Sequence, residues 1–261
     1  RIAVVIPCFR AGATIAPVVG RIGADVDLIY VVDDSCPEFS GERAVRDCPD
    51  PRLVVLRNGA NLGVGGAMKE GYRRALADGA DIVVKLDADG QMDPRHIPRL
   101  IAPLLAGSAD YAKGDRFAPA AAMPAGSCPH ALKAMPLPRF VANRALRLVH
   151  ALATGYWGIR DPANGYTAIR AETLARLDRD GLADCFFFET DMLFRLRLAG
   201  ARVVEVPLPA IYLGGPSTLS LRRVAPRFAW LMARRALQRA RAGAAERPER
   251  RHSGLMPTDV R

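Results

Sequence analysis

Four short runs rich in apolar residues do most to constrain what this chain folds into: residues 2–7 (IAVVIP), 28–32 (LIYVV), 53–56 (LVVL) and 82–86 (IVVKL). Continuous runs of this length are the mark of strands covered on both faces. Helical stretches alternate with them. Thr14 is placed to cap a short helix over 15–22. Residues 61–66 (NLGVGG) open a helix with Met68, Tyr72, Ala75 and Leu76 on one face. After a Pro, Ile97, Leu100, Ile101, Leu104 and Leu105 form a buried stripe. Strand and helix in alternation give an α/β fold with a mostly parallel central sheet flanked by helices. In such sheets ligands bind beyond the carboxyl ends of the strands. Asp33-Asp34, the Gly-rich turn at 63–66 and Asp87/Asp89 therefore share one edge.

Beyond Tyr111 the pattern loosens. Residues 118–138 are rich in Ala, Pro and Gly and read as a mobile loop. A helix over 138–153, a loop over 155–165 and a helix over 186–199 follow, the last beginning Glu189-Thr190-Asp191. Residues 203–206 and 211–213 read as late strands. One domain is expected over 1–220, with a basic, partly helical or disordered tail over 221–261.

Charge separates these two parts. The chain carries +10, with 37 Lys and Arg against 27 Asp and Glu. From Arg222 onward there are eleven Arg against Glu246, Glu249 and Asp259, a local +8, so the body is nearly neutral at +2. The body has no aromatic–basic strip or recognition motif, which argues against nucleic acid as a partner. Arg235 and Arg239 fall among Phe228, Leu231 and Met232 on a helical projection, so the tail is not a clean amphipathic anchor. Salt-sensitive attachment to anionic lipid and a solvated tail both remain open. Five cysteines without a CxxC pair argue against a disulfide scaffold or a zinc module, and fit a reducing cytoplasm. No apolar run approaches the roughly 20 residues of a membrane-spanning helix. No signal-peptide pattern precedes residue 2, although the missing initiator Met leaves a removed targeting segment open.

Asp87 and Asp89 carry the chemistry most directly. Strand alternation points both side chains the same way, and two carboxylates on one side repel unless a cation or proton lies between them. Oxygen ligands favour Mg²⁺ or Mn²⁺, with Mg²⁺ sharing its shell with waters and substrate phosphates. Gln91 and Asp93 can add a ligand or a supporting contact. The alternative for a lone pair of this kind is a solvated acidic turn. Asp33 and Asp34 suit ribose hydroxyls or a base N–H, or equally a helix cap. The turn at 63–66 lacks the last Gly of a phosphate-binding loop, so a tight turn with close helix packing is expected there.

The segments VVIPCFRAGATI, VVDDSCPE, NLGVGGAMKEGYRRAL, KLDADGQMDP, YAKGDRF, DPANGYTAIRAETL and FFFETDMLFRLRLAGARVVEVPLPAIY, in that order, resemble family 2 glycosyltransferases with the GT-A fold over about residues 2–220. LDADGQ, GDRF and FFFETDML are most similar to bacterial enzymes related to dolichol-phosphate mannose synthase, which move a sugar from a nucleotide donor to a polyprenyl phosphate. The resemblance implies an inverting transferase using a UDP- or GDP-linked sugar. Pro7, Phe9 and Asp34 would contact the nucleoside, supported by Asp33. Asp87, with the neighbouring Ala88, would face the ribose and metal. Asp89 and Gln91 would complete the Mg²⁺ or Mn²⁺ site, and Arg116 would face the acceptor phosphate. Glu189 and Asp191 stand where a base would be sought for a saccharide hydroxyl acceptor; a phosphate acceptor attacks unaided. A peripheral position at the inner face of the membrane follows from a polyprenyl acceptor.

Two departures stand out. The family's first strand commonly continues as Asn-Glu after the aromatic, and here Arg10-Ala11 follow Phe9. Related chains carry an Arg before Tyr-Gly in the late loop, where this one has Ile211 before Tyr212; Arg222 or Arg223 are candidate substitutes. The loss at 211, with the basic tail, keeps open a degenerate nucleotide-sugar-binding protein. Leu86–Gly90 also resembles the aspartyl-phosphate motif of haloacid-dehalogenase-like phosphatases, but follows the fourth strand instead of the first.

Overall fold

The computed structural model describes residues 1–124, 147–185, 187–209, 211 and 229–238. A single sheet organises them. Its strands are β1 (Ile2–Cys8), β2 (Leu28–Asp33), β3 (Leu53–Arg57), β4 (Ile82–Lys85), β5 (Tyr111–Asp115), β6 (Thr167–Arg170) and β7 (Val203–Pro207), in spatial order β3-β2-β1-β4-β6-β5-β7. The pairings β1·β2, β2·β3, β1·β4 and β5·β7 are parallel, whereas β6 runs antiparallel to both β4 and β5. The four apolar runs are thus strands, and the sheet is mostly parallel, as expected. β6 is the departure. Only Ala168 and Ile169 are apolar, between Thr167 and Arg170, so no apolar run announces it.

Helices cover both faces: α1 (Ile15–Val19), α2 (Ser40–Asp47), α3 (Gly63–Ala77), α4 (Ile97–Leu105), α5 (Ala171–Arg176) and α6 (Phe188–Leu198), with residues 147–154 and 229–238 also helical. Strand alternation divides the core. Val4, Ile6 and Val84 meet Ile15, Val18, Leu100 and Leu104 on one face. Val5, Tyr30 and Val83 meet Met68, Tyr72, Leu193 and Leu196 on the other. α1 is shorter than expected; Thr14 stands at its N-cap position as expected but makes no side-chain capping hydrogen bond, its hydroxyl donating to the Ala11 carbonyl at 3.3 Å.

The glycines of α3 serve close packing. A Cβ at Gly65 would lie 2.0 Å from the Ala183 carbonyl oxygen, and one at Gly71 2.2 Å from Val5. Of the late elements, the helix expected over 186–199 is α6 and the strand over 203–206 is β7. Ile211 is not in a strand, and residues 212–213 lie outside the described residues. So do most of the loop at 118–138, the start of the helix over 138–153, and the tail apart from 229–238.

Candidate active site

The strand ends meet as parallel pairing requires. β1 lies between β2 and β4, so the residues following it leave the sheet between Asp34 and Asp87. A cleft of about 570 Å³ opens there, lined by Pro7, Phe9, Arg10, Asp34, Ala88 and the Asp87/Asp89 pair, among others. That volume falls in the range of small-ligand sites, roughly 300–1,000 Å³. A smaller pocket of about 90 Å³ adjoins it, lined by Gln91, Arg116, Gly165 and again by Asp87 and Asp89. The two carboxylates thus stand where the two spaces meet.

They reach that position by a different route from the expected one. β4 stops at Lys85, and residues 88–89 form a turn, so a turn and not strand alternation brings the pair together. The Gln91 backbone N–H donates to Asp89 Oδ1 at 2.9 Å, and the Ile211 N–H donates to the Gln91 carbonyl at 2.9 Å. The Asp89 carboxyl is held above the usual range, first by the protein that displaces water around it and then by the charge of Asp87. A cation between two such carboxylates relieves both effects, so the donor set suits a hard divalent metal that keeps waters or substrate oxygens. Among the described residues no cluster of three or more His, Cys, Asp or Glu offers a fuller cage.

Asp87 has a partner that patterning did not reveal. Lys85, 1% exposed, places its ammonium 2.6 Å from Asp87 Oδ1 and 2.9 Å from Glu189 Oε1. Burial alone would push this lysine down, but the Asp87 and Glu189 charges outweigh it and hold it above its ordinary value. Glu189, its side chain 12% exposed, is therefore a counterion to Lys85 from the first turn of α6. Asp191 is fully buried, outside both spaces. It accepts from the Ala183 N–H at 3.1 Å and pairs with Arg235 at 2.6 Å and Arg195 at 3.4 Å. The Arg235 that spoils the tail's amphipathic face is thus a core residue, and its guanidinium also lies over the Phe194 ring.

Asp33 and Asp34 divide their work. Asp33 does not line the cleft. It is 3% exposed and accepts from the Cys36 and Gly41 N–H groups at 2.8 and 2.9 Å, fixing the turn into α2. Asp34 does line it, while accepting from Asn58 Nδ2 at 2.7 Å and from the Leu62 and Gly63 N–H groups at 2.9 and 2.7 Å. It thereby ties the start of α3 to the end of β2. Pro7, Phe9 and Ala88 all face the cleft, with Phe9 43% exposed. Arg116 lies at the smaller pocket, its guanidinium held by both oxygens of buried Asp161 at 2.7 and 2.9 Å.

The model of the family described as "Glycosyl transferase family 2" matches residues 3–163. The chain belongs to this glycosyltransferase family. An undecaprenyl-phosphate mannosyltransferase from Micrococcus luteus is 32% identical over 212 residues, covering 80% of this chain and 82% of that protein. A polyprenol monophosphomannose synthase from Mycolicibacterium smegmatis is 30% identical over 215 residues, covering 80% and 76%. Among solved structures, glucosyl-3-phosphoglycerate synthase from Mycobacterium tuberculosis, in complex with Mn²⁺, UDP and phosphoglyceric acid, superposes with a TM-score of 0.59 at 22% identity. It covers 86% of this chain and 73% of that one. This likeness establishes the GT-A fold.

In this family 2 glycosyltransferase, sequence reasoning missed Lys85, Asp161 and Gly165, which touch the candidate site residues Asp87 and Arg116, and Lys113, which lies behind the smaller pocket at Asn164. Lys113 is fully buried, donates to the Asn164 carbonyl, and is pushed down to about 8, chiefly by burial. The available signal was a lysine inside each of two buried strands, since lysine is almost never fully buried without a partner. A Cβ at Gly165 would lie 2.5 Å from both Asp87 Oδ2 and Lys85 Nζ, so the loop presses directly on that pair.

Proposed function

We propose that this enzyme transfers a sugar from a UDP- or GDP-linked donor to a polyprenyl phosphate, with inversion at the anomeric carbon. The observation that carries the reading is the sharing of Asp87 and Asp89 by the larger cleft and the smaller Arg116 pocket. A donor in the first and an acceptor phosphate in the second would present their reacting groups at one point. The named activities of the Micrococcus and Mycolicibacterium relatives support a polyprenyl phosphate acceptor.

In this reading Phe9, Pro7 and Asp34 hold the nucleoside, and Asp87, Asp89 and Gln91 hold Mg²⁺ or Mn²⁺. Bound there, the metal supplies Lewis-acid stabilisation of charge on the departing nucleoside diphosphate. Arg116, aimed by Asp161, orients the acceptor phosphate, for which a guanidinium fork is well shaped. The attacking phosphate oxygen is already ionised, so no base is required. Here the buried pairings favour a phosphate over a saccharide hydroxyl acceptor. Glu189 is engaged by Lys85, and Asp191 by Arg235 and Arg195, so neither is placed to take a hydroxyl proton.

The catalytic body would extend to about residue 220 and include the helix over 229–238, which packs onto it through Leu231, Met232 and Arg235. The other basic residues beyond 220 would rest against an anionic membrane surface on the cytoplasmic side. Among the described residues no helix is long and apolar enough to cross a membrane. A panel of UDP- and GDP-sugars, offered with polyprenyl phosphate or with soluble saccharides, tests the acceptor. Transfer to polyprenyl phosphate is expected, and transfer to a soluble hydroxyl alone would overturn the reading.

A further inference from the structure

The larger cleft has an electrostatic imbalance. Its lining includes three carboxylates, Asp34, Asp87 and Asp89, against one basic side chain among the described residues, Arg10. A nucleoside diphosphate brings further negative charge into the same space. The neighbouring cations are placed elsewhere: Lys85 is buried between Asp87 and Glu189, and Arg116 lines the smaller pocket and not this cleft. The Ile211 backbone lies against Gln91, and the isoleucine brings no charge there.

Arg10 is different. Its guanidinium lies 5.4 Å from the centre of the Phe9 ring, and among the described residues it has neither an ion pair nor a hydrogen bond. Its backbone is left-handed, with φ of 53°, a costly conformation for a side chain of this size. The Arg10 N–H donates to the buried Cys36 sulfur at 3.1 Å, and the Ala11 N–H donates to Ser40 Oγ at 3.1 Å. The loop after β2 thus holds the loop after β1 in this shape. Because β1 lies between β2 and β4, the loop that carries Arg10 leaves the sheet between the Asp34 end of the cleft and the Asp87/Asp89 end, and Arg10 lines that cleft. A donor with its nucleoside at the first and its sugar at the second must lay its diphosphate across that point.

We infer that Arg10 is the protein's own cationic partner for the donor diphosphate. The inference rests on the proposed nucleotide-sugar donor and goes beyond it in assigning the diphosphate contact. Guanidinium–phosphate hydrogen bonds are charge-assisted, and hydrogen bonds to charged groups are worth about 1.5–3 kcal/mol. Removing the fork should therefore weaken diphosphate binding by at least about tenfold.

Calorimetric titrations of wild type, Arg10→Gln and Arg10→Asn with UDP, UMP and uridine, and with GDP, GMP and guanosine, test this in EDTA and again with Mn²⁺. Asn tolerates the left-handed backbone, and matched thermal midpoints exclude misfolding. The expected result is a loss of about tenfold or more for the bound nucleoside diphosphate, a smaller loss for its monophosphate, and unchanged nucleoside binding. Equal losses for diphosphate and nucleoside would make Arg10 a base contact and overturn the inference, as would no loss at all. Wild type that binds neither diphosphate in either buffer would bring down the proposed donor as well; an unchanged variant would bring down only Arg10.

Discussion

The ammonium of Lys85 lies 2.6 Å from Asp87 Oδ1, with the lysine side chain 1% exposed. One buried cation thus fixes a cleft carboxylate and, through its second contact with Glu189 at 2.9 Å, joins β4 to the first turn of α6. The cleft inherits its rigidity from the core at this point. Removing one partner of a buried pair leaves uncompensated charge and costs roughly 3–5 kcal/mol. Lys85→Met is expected to lower stability by about that amount and to weaken Mn²⁺-dependent nucleotide binding. Lys85→Met/Glu189→Gln should recover part of the stability. Denaturant unfolding checks the first effect and calorimetry the second; a fully stable single variant would contradict the pairing.

Gly165 presses on the same pair. A Cβ there would stand 2.5 Å from Asp87 Oδ2 and from Lys85 Nζ, so one of them must move. Misplacing a catalytic group by about 1 Å can cost about a hundredfold in rate. Gly165→Ala is expected to lower kcat/KM on that scale, with a thermal midpoint close to that of wild type. Wild-type activity in this variant would show that the Asp87 position is not critical.

Arg116 is aimed by Asp161 through two hydrogen bonds. Arg116→Ala should raise the acceptor KM about tenfold and leave the donor KM unchanged. Asp161→Asn should act in the same direction but more weakly. Steady-state kinetics with each substrate varied in turn separates the two constants. A rise in the donor KM alone would move Arg116 to the other side of the site.

His150 links pH to the packing of α6. It is 3% exposed, and its ring Nε2 lies 3.1 Å from Thr190 Oγ1. Burial, aided by the Lys113 charge, pushes it from 6.5 down to about 3. Between these values the unfolded chain takes up a proton that the folded one refuses. Its contribution to stability is therefore complete above about 6.5 and is lost progressively as the pH falls towards 3. Wild type should lose more stability between pH 7 and 5 than His150→Leu does, as read by denaturant midpoints. Parallel curves would contradict this.

Much of the architecture was legible because strands covered on both faces announce themselves as apolar runs. The convergence of Asp34, Asp87 and Asp89 followed from parallel strand order. β6 was hidden because Thr167 and Arg170 leave it only two apolar residues, and α2 because its helix is mostly polar, with only Ser40, Gly41 and Ala44 buried. Within the site, a carboxylate's identity says nothing about its partner. Asp33 and Asp34 are adjacent, yet one fixes a turn and the other lines the cleft. Glu189 and Asp191 share one helical turn and are consumed by cations from opposite directions, Lys85 and Arg235. Those pairings join residues 104 and 44 positions apart in the chain, beyond the reach of any local pattern.

The central claim is that Asp87 and Asp89 bring a nucleotide-sugar donor and a polyprenyl phosphate together. Its most direct test is the passage of labelled sugar from a nucleotide donor into organic-extractable lipid, with Mn²⁺, by wild type and Asp89→Asn. Wild type is expected to label the lipid from at least one UDP- or GDP-sugar. Asp89→Asn should fall by about a hundredfold or more, the scale of losing one electrostatic contact to the developing charge. Equal labelling by the two proteins, or label found only in a soluble product, would contradict the account.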